Sequence, residues 1–148
     1  MVVLDVAVWG GWSAAVGYWA HRRPAAAFAD DSWLYRLRAF ENGGRVYERL
    51  GIKRWKDRLP EAGALFTGGF SKRSVRTRDR EVLERFVIET RRAEWTHWTI
   101  MLATPVFVVW NWWWVAVLML VYALVANLPC LLVQRYNRAR LTRLLRAQ

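Results

Sequence analysis

The sequence predicts an all-α integral membrane protein, with about three transmembrane helices and a layer of amphipathic helices at the cytoplasmic interface. Two observations carry this. Residues 112–134 (WWWVAVLMLVYALVANLPCLLVQ) are uncharged and long enough, at ~1.5 Å per residue, to cross a ~30 Å hydrocarbon layer as a helix. All 23 basic residues fall in two blocks, Arg22 to Arg92 and Arg135 to Arg146. The chain is about one domain long, at 148 residues, and it is 55% hydrophobic. Segregation of charge, more than its amount, separates it from a soluble domain.

Taken in order, residues 1–21 read as the first transmembrane helix. This run is apolar except for Asp5 and contains Gly10, Gly11 and Gly17. It has no basic leader, and His21, Arg22 and Arg23 follow it, which favours an uncleaved helix with its N-terminus outside over a signal peptide. Residues 22–92 form a cytoplasmic interfacial segment. Within it, 31–40 and 44–58 are expected as helices, the second placing Val46, Tyr47, Leu50, Ile52, Trp55 and Leu59 at helical spacing between cations. Pro60 ends that helix, and a loop with Gly63, Gly68 and Gly69 follows.

Asp79 is the expected N-cap of the next helix, with Glu81 in its first turn. Val82, Leu83, Phe86, Val87 and Thr90 make one apolar stripe. No breaker precedes Pro105, so this helix is expected to continue into the membrane. Residues 93–134 then form a transmembrane hairpin, with limbs 95–110 and 112–134 turning at Asn111, and 135–148 form a basic cytoplasmic tail. Three crossings put both basic blocks on the cytoplasmic face, and Trp110, Trp112, Trp113 and Trp114 at headgroup level on the other. Glycines in the first span permit close helix packing but leave the oligomeric state open.

A net charge of +11 would suit a nucleic-acid binder. In a membrane protein the nearer polyanion is the inner leaflet, which attracts each basic residue by about 1 kcal/mol. Membrane lipids with anionic headgroups are therefore the expected partners, and nucleic acid is not. The single cysteine, Cys130, allows neither an internal disulfide nor a cysteine zinc cluster.

The polar residues near the spans are the candidates for chemistry. Glu94 and His97 are three residues apart, so a helix puts them on one face, with Glu89 close enough to join the patch. A carboxylate beside an imidazole suits a general base; the plainer alternative is an interfacial histidine bonded to its own turn. Asn127, Pro129 and Cys130 interrupt the last span. Asn127 either satisfies backbone groups released by the proline or donates to a substrate oxygen. Cys130 lacks any neighbour that would activate its thiol. Lys53, Arg54, Lys56 and Asp57, with Lys72 beyond the glycine-rich loop, could hold phosphates or simply lipid headgroups. Arg135, Arg138 and Arg140 read as snorkelling arginines at the inner mouth. Asn137, among them, is expected to line the same layer as Glu94 and His97.

Three stretches, GIKRWKDRLPEAGALFTGGFSK (51–72), ETRRAEWTHW (89–98) and NLPCLLVQRYNRARL (127–141), together resemble the glycosyl-4,4'-diaponeurosporenoate acyltransferases. These are small bacterial membrane proteins that esterify the sugar of a glycosylated carotenoid acid with a fatty acyl chain. The similarity runs from about residue 40 to 145, and the first span matches only in being apolar. The resemblance implies acyl transfer to a hydroxyl of a lipid-linked acceptor at the bacterial cytoplasmic membrane. The donor would be a soluble thioester, acyl-CoA or acyl carrier protein, with no further cofactor and no metal.

On that reading His97 with Glu94 and Glu89 would take the hydroxyl proton. Asn127, or Arg91, Arg92 or Arg135, would stabilise the oxyanion. Lys53, Lys56 and Lys72 would hold the donor's phosphates, with Trp55, Asp57 and Asn137 inside the shared motifs. A non-enzymatic lipid-binding or complex-stabilising subunit is the competing class. Glu89, Glu94 and His97 on a single helix make a poor metal site.

Overall fold

The computed structural model describes residues 1–59 and 79–148, and its regular elements are all helical. Helix α1 is Val2–Arg22, α2 is Arg45–Arg49, α3 is Ile52–Trp55, α4 is Arg80–Met101 and α5 is Trp113–Arg146. Short 3₁₀ turns at Ala25–Phe28, Ala39–Gly44, Lys56–Arg58 and Thr104–Val109 join them.

Helices α4 and α5 form an antiparallel pair that carries the molecule. The start of α4 is capped as its sequence expects: the Asp79 carboxylate accepts the Glu81 N–H at 3.0 Å. Leu83, Val87, Thr90 and Glu94 are buried along one stripe, and Leu83 and Val87 pack on Leu141 of α5. Further along, Ile100 joins Phe107 and Ala123 in a second cluster that also receives Trp9 and Val16 of α1.

Helix α1 lies against α4 and buries Asp5, Trp9, Val16 and Ala20, Trp9 packing on Phe107 and Tyr122, while most of its other residues are exposed. Buried Asp5 is satisfied because its Oδ1 accepts from Trp110 Nε1 and Asn111 Nδ2, both at 2.8 Å. That contact ties the first turn of α1 to the turn between α4 and α5. Gly10 and Gly11 face open space.

The interfacial layer is less regular than its sequence suggested. Residues 31–40 are not a helix but a turn leading into the 3₁₀ segment. The expected helix over 44–58 is broken into α2 and α3, because Gly51 adopts φ +68°, a left-handed conformation that no continuous helix contains. The limb expected at 95–110 is helical only to Met101 and then tightens into the 3₁₀ turn around Pro105. The basic tail is not a separate piece. At 34 residues α5 runs unbroken from the apolar span through Arg146, with Pro129 inside it.

Among the described residues, α5 is the one helix long and apolar enough to cross a membrane; 17% of its most apolar window is buried inside the protein. Pro60, the glycine-rich loop and Lys72 lie outside the described residues.

Candidate active site

The middle of α4 faces a cluster of buried charge. Glu94 is fully buried, with Arg135 Nη1 at 2.6 Å from its Oε1 and Arg138 Nη2 at 2.6 Å from its Oε2. The first is a directed hydrogen bond, whereas the second is a close ion contact; Arg138 Nη2 also donates to the Tyr35 carbonyl at 2.7 Å. Arg135 also holds Glu41 through Nε (2.8 Å) and Nη2 (3.0 Å), and donates to the carbonyls of Leu34 (3.2 Å) and Arg36 (3.0 Å).

Glu41 is itself fully buried and accepts from the Tyr47 hydroxyl and the Arg38 backbone N–H. Burial pushes its carboxyl up, but the donors from Arg135, Tyr47 and Arg38 outweigh that and hold it below the ordinary carboxylate value. The same burial, with Glu41 beside it, raises the Tyr47 phenol well above its usual range.

His97 does not pair with Glu94. Its Nδ1 lies 2.9 Å from Asn127 Oδ1, and Asn127 Nδ2 donates to the Ala123 carbonyl at 2.9 Å. These two contacts assign the tautomer. The amide must turn its nitrogen toward Ala123, so its oxygen faces the ring and His97 Nδ1 carries the hydrogen. In the neutral imidazole Nε2 is then the basic nitrogen, and it makes no hydrogen bond with a described residue. Asn127 is buried and bonds neither to the Val125 carbonyl that Pro129 releases nor to open space.

The other expected site residues are mostly engaged elsewhere. Glu89 sits 3.1 Å from Arg92 Nε, away from Glu94 and His97. Arg92 closes the C-terminus of α1, its Nη1 donating to the carbonyls of Ala20 (2.5 Å), Arg23 (2.8 Å) and His21 (3.4 Å), where a cation also complements the helix dipole. Arg91 holds the Phe28 carbonyl (3.3 Å), the Ala29 carbonyl and Asp31. Asn127 and Arg135 are thus fully engaged, and Arg91 and Arg92 spend their Nη groups on backbone carbonyls, away from the His97–Asn127 pair.

Lys53 pairs with Glu48 at 3.0 Å and Lys56 with Asp57 at 2.7 Å, both at the surface layer. Asn137 is half-buried, and no hydrogen bond joins it to Glu94 or His97. Trp55 packs with Tyr47, Ile52, Val133 and Tyr136 and walls an apolar groove of about 360 Å³ with Leu124, Leu128, Pro129 and Leu132. Cys130 is half-buried, its Sγ 3.9 Å from the Ala126 carbonyl.

A family model described as glycosyl-4,4'-diaponeurosporenoate acyltransferase matches residues 31–147, which include every residue of the ion cluster and both members of the His97–Asn127 pair. The chain belongs to this family. Proteins bearing that name from Staphylococcus aureus strains N315 and bovine RF122 / ET3-1 are each 32% identical over 126 residues, and the one from strain MRSA252 is 32% identical over 131; in each case 84% of this chain and 76% of the relative are covered. No solved structure matches.

Four residues of this buried cluster are not marked by the sequence. Arg138, taken for a snorkelling arginine, is 1% exposed. Glu41 and Tyr47 meet only because Asn42, Gly43 and Gly44 all have positive φ and fold the ENGG segment back on itself. The dipeptide Gly43-Gly44 was the available signal. Tyr35 enters through its carbonyl, which no side-chain pattern announces.

Proposed function

We propose that this enzyme moves a fatty acyl group from a thioester donor to a hydroxyl of a lipid-linked sugar or similar membrane lipid, at the cytoplasmic face of a bacterial membrane. The observation that carries the reading is the oriented pair His97–Asn127, which leaves Nε2 as the base. Nε2 takes the hydroxyl proton as that oxygen attacks the thioester carbonyl. The tetrahedral intermediate collapses with loss of the thiolate, which recovers the proton from the imidazolium. Asn127 acts as a positioning residue that fixes the ring, much as a third group orients the base in hydrolase triads. Glu94 belongs to the ion cluster, not to this step.

The placement supports a membrane reaction. A 34-residue helix is ~51 Å long, more than a ~30 Å hydrocarbon layer needs, so the arginine half of α5 is left beyond it. The core helix of a soluble protein would be mostly buried, whereas the apolar half of α5 exposes Leu118, Leu120, Val121 and Val125, as a lipid-facing helix does. Trp112, Trp113 and Trp114, all largely exposed, mark the outer end. Helix α1 and the α4 limb would accompany α5 through the bilayer, giving three crossings with the N-terminus outside and C-terminus inside. His97 faces Asn127, eight residues or ~12 Å along α5 from Arg135, which puts the pair in the inner half of the span, beneath the basic layer.

The groove of Trp55, Leu124, Leu128, Pro129 and Leu132 is wholly apolar in character and suits an acyl chain. The name its relatives bear, glycosyl-4,4'-diaponeurosporenoate acyltransferase, favours a glycosylated carotenoid acid as one acceptor to try. Purified protein given labelled acyl-CoA or acyl carrier protein and a panel of glycolipids should yield an acylated lipid, and H97A should abolish it. Full transfer by H97A would overturn the assignment of the base.

A further inference from the structure

Arg138 works on two sides. Its Nη2 serves Glu94 and the Tyr35 carbonyl, while its Nε and Nη1, both buried, have no hydrogen-bond partner among the described residues. The side chain also lines a cavity of about 230 Å³ shared with Arg36, Arg91, Arg146, Asp31 and Thr142. Arg91 brings a third buried donor without a partner among the described residues, its Nε. Four guanidinium groups thus face one carboxylate, and that carboxylate, Asp31, is already 3.3 Å from Arg91. Buried N–H groups of a cation are costly to leave without an acceptor, and a guanidinium presents its donors as a fork that fits oxyanions.

We propose that this cavity binds a phosphoryl group. Several forks converging from α4, α5 and the segment before α2 suit the multiple acceptor oxygens of a phosphate better than the two of a carboxylate. The phosphate could be carried by a soluble thioester donor or by a phospholipid headgroup, and the two share the chemistry recognised here. Arg138 lies eleven residues, ~16 Å, along α5 from Asn127. Coenzyme A thioesters hold their phosphates and their reactive carbonyl at opposite ends of a long arm, so this spacing favours the soluble donor. Only the choice of carrier rests on the acyl-transfer reading; the anion site rests on the arginines. It replaces Lys53 and Lys56 as the phosphate-binding group, since those lysines pair with Glu48 and Asp57.

The test uses the full-length protein in detergent, with calorimetric binding of coenzyme A and, separately, retention of phosphatidic acid followed by native mass spectrometry. Arg36 and Arg146 are exposed rim residues, so the double variant R36Q/R146Q should melt as the wild type does. It should weaken whichever probe binds by about tenfold or more. Coenzyme A binding that inorganic phosphate displaces and the double variant loses assigns the soluble carrier; phosphatidic acid retention lost in the variant assigns the lipid. If neither probe binds the wild type, or both bind the folded variant undiminished, the site is overturned. An acyl-transfer assay on the same samples separates the two ideas: transfer by the double variant at the wild-type rate overturns the soluble donor as the carrier held here, whereas phosphate binding without any transfer keeps the cavity and overturns the reaction.

Discussion

Asn127 spends both ends of one amide, and that decides which nitrogen of His97 is basic. H97A should lower acyl transfer by about 10²–10⁴-fold, the usual worth of a general base, with the melting temperature nearly unchanged. N127L should lower kcat by roughly 10²-fold with little change in KM, because it frees the ring to take the wrong tautomer. C130S should transfer acyl groups at close to the wild-type rate, since Cys130 Sγ lies against the Ala126 carbonyl, which cannot activate a thiol; loss of activity there would point to a covalent acyl intermediate.

Glu94 behaves differently from His97. Removing it leaves Arg138 buried without its counter-charge, so E94A should cost about 3–5 kcal/mol, seen as a lower melting temperature in detergent. Glu41 adds a pH dependence. Its carboxyl is held below its unfolded value, so its stabilisation is fully present above about pH 4.3, the ordinary glutamate value, and is lost as pH falls through the folded value. Melting curves from pH 6 down to about pH 3 should fall more steeply in the wild type than in E41Q. These residues were only partly legible in sequence. His97, Glu94 and Asn127 stood out because ionisable and amide groups near a span are rare; their partners did not, because helix spacing pairs His97 with Glu94 while packing pairs it with α5.

At the level of elements, the long helices followed from sequence and the short ones did not. The stripe and cap of α4 were readable because 3.6-residue periodicity and Asp79 each have a local physical meaning. Residues 31–40 have no such local logic. Their carbonyls, at Leu34, Tyr35 and Arg36, are held by Arg135 and Arg138, a hundred residues away. The left-handed turns are local yet easily missed. Gly44, at φ +96°, would place a Cβ 3.3 Å from that of Ala139 and 3.4 Å from Tyr136 Cδ2, whereas Gly51, at φ +68°, has open space around it. G44A should therefore cost more than G51A, whose cost is the left-handed strain alone, about 1–2 kcal/mol. Thermal denaturation of the two variants side by side checks the order.

Across the whole molecule, the two basic blocks meet in one layer. Arg92 reaches the end of α1, and Arg135 and Arg138 reach the segment before α2, so residues from all three long helices share one level. With α5 crossing the bilayer as proposed, V121R puts a charge on an exposed face near the middle of the span and should oppose insertion by about 2.5–3.5 kcal/mol. Carbonate extraction of membranes should release the variant and leave the wild type in the pellet; equal retention of both would argue against a lipid-facing Val121.

By itself the sequence determined the helical class, the apolar run of α5, the gathering of basic residues into two blocks and the family resemblance. Each depends on composition or on residues close together in the chain, where hydropathy and helical period act directly. Tertiary structure alone decided which charges are buried. Arg138 and Arg140 look alike in sequence, but the α4–α5 packing turns Arg138 onto Glu94 and leaves Arg140 exposed. A guanidinium buried at 1% exposure is tolerable only where a carboxylate from another helix meets it, and that meeting is set by how the helices pack.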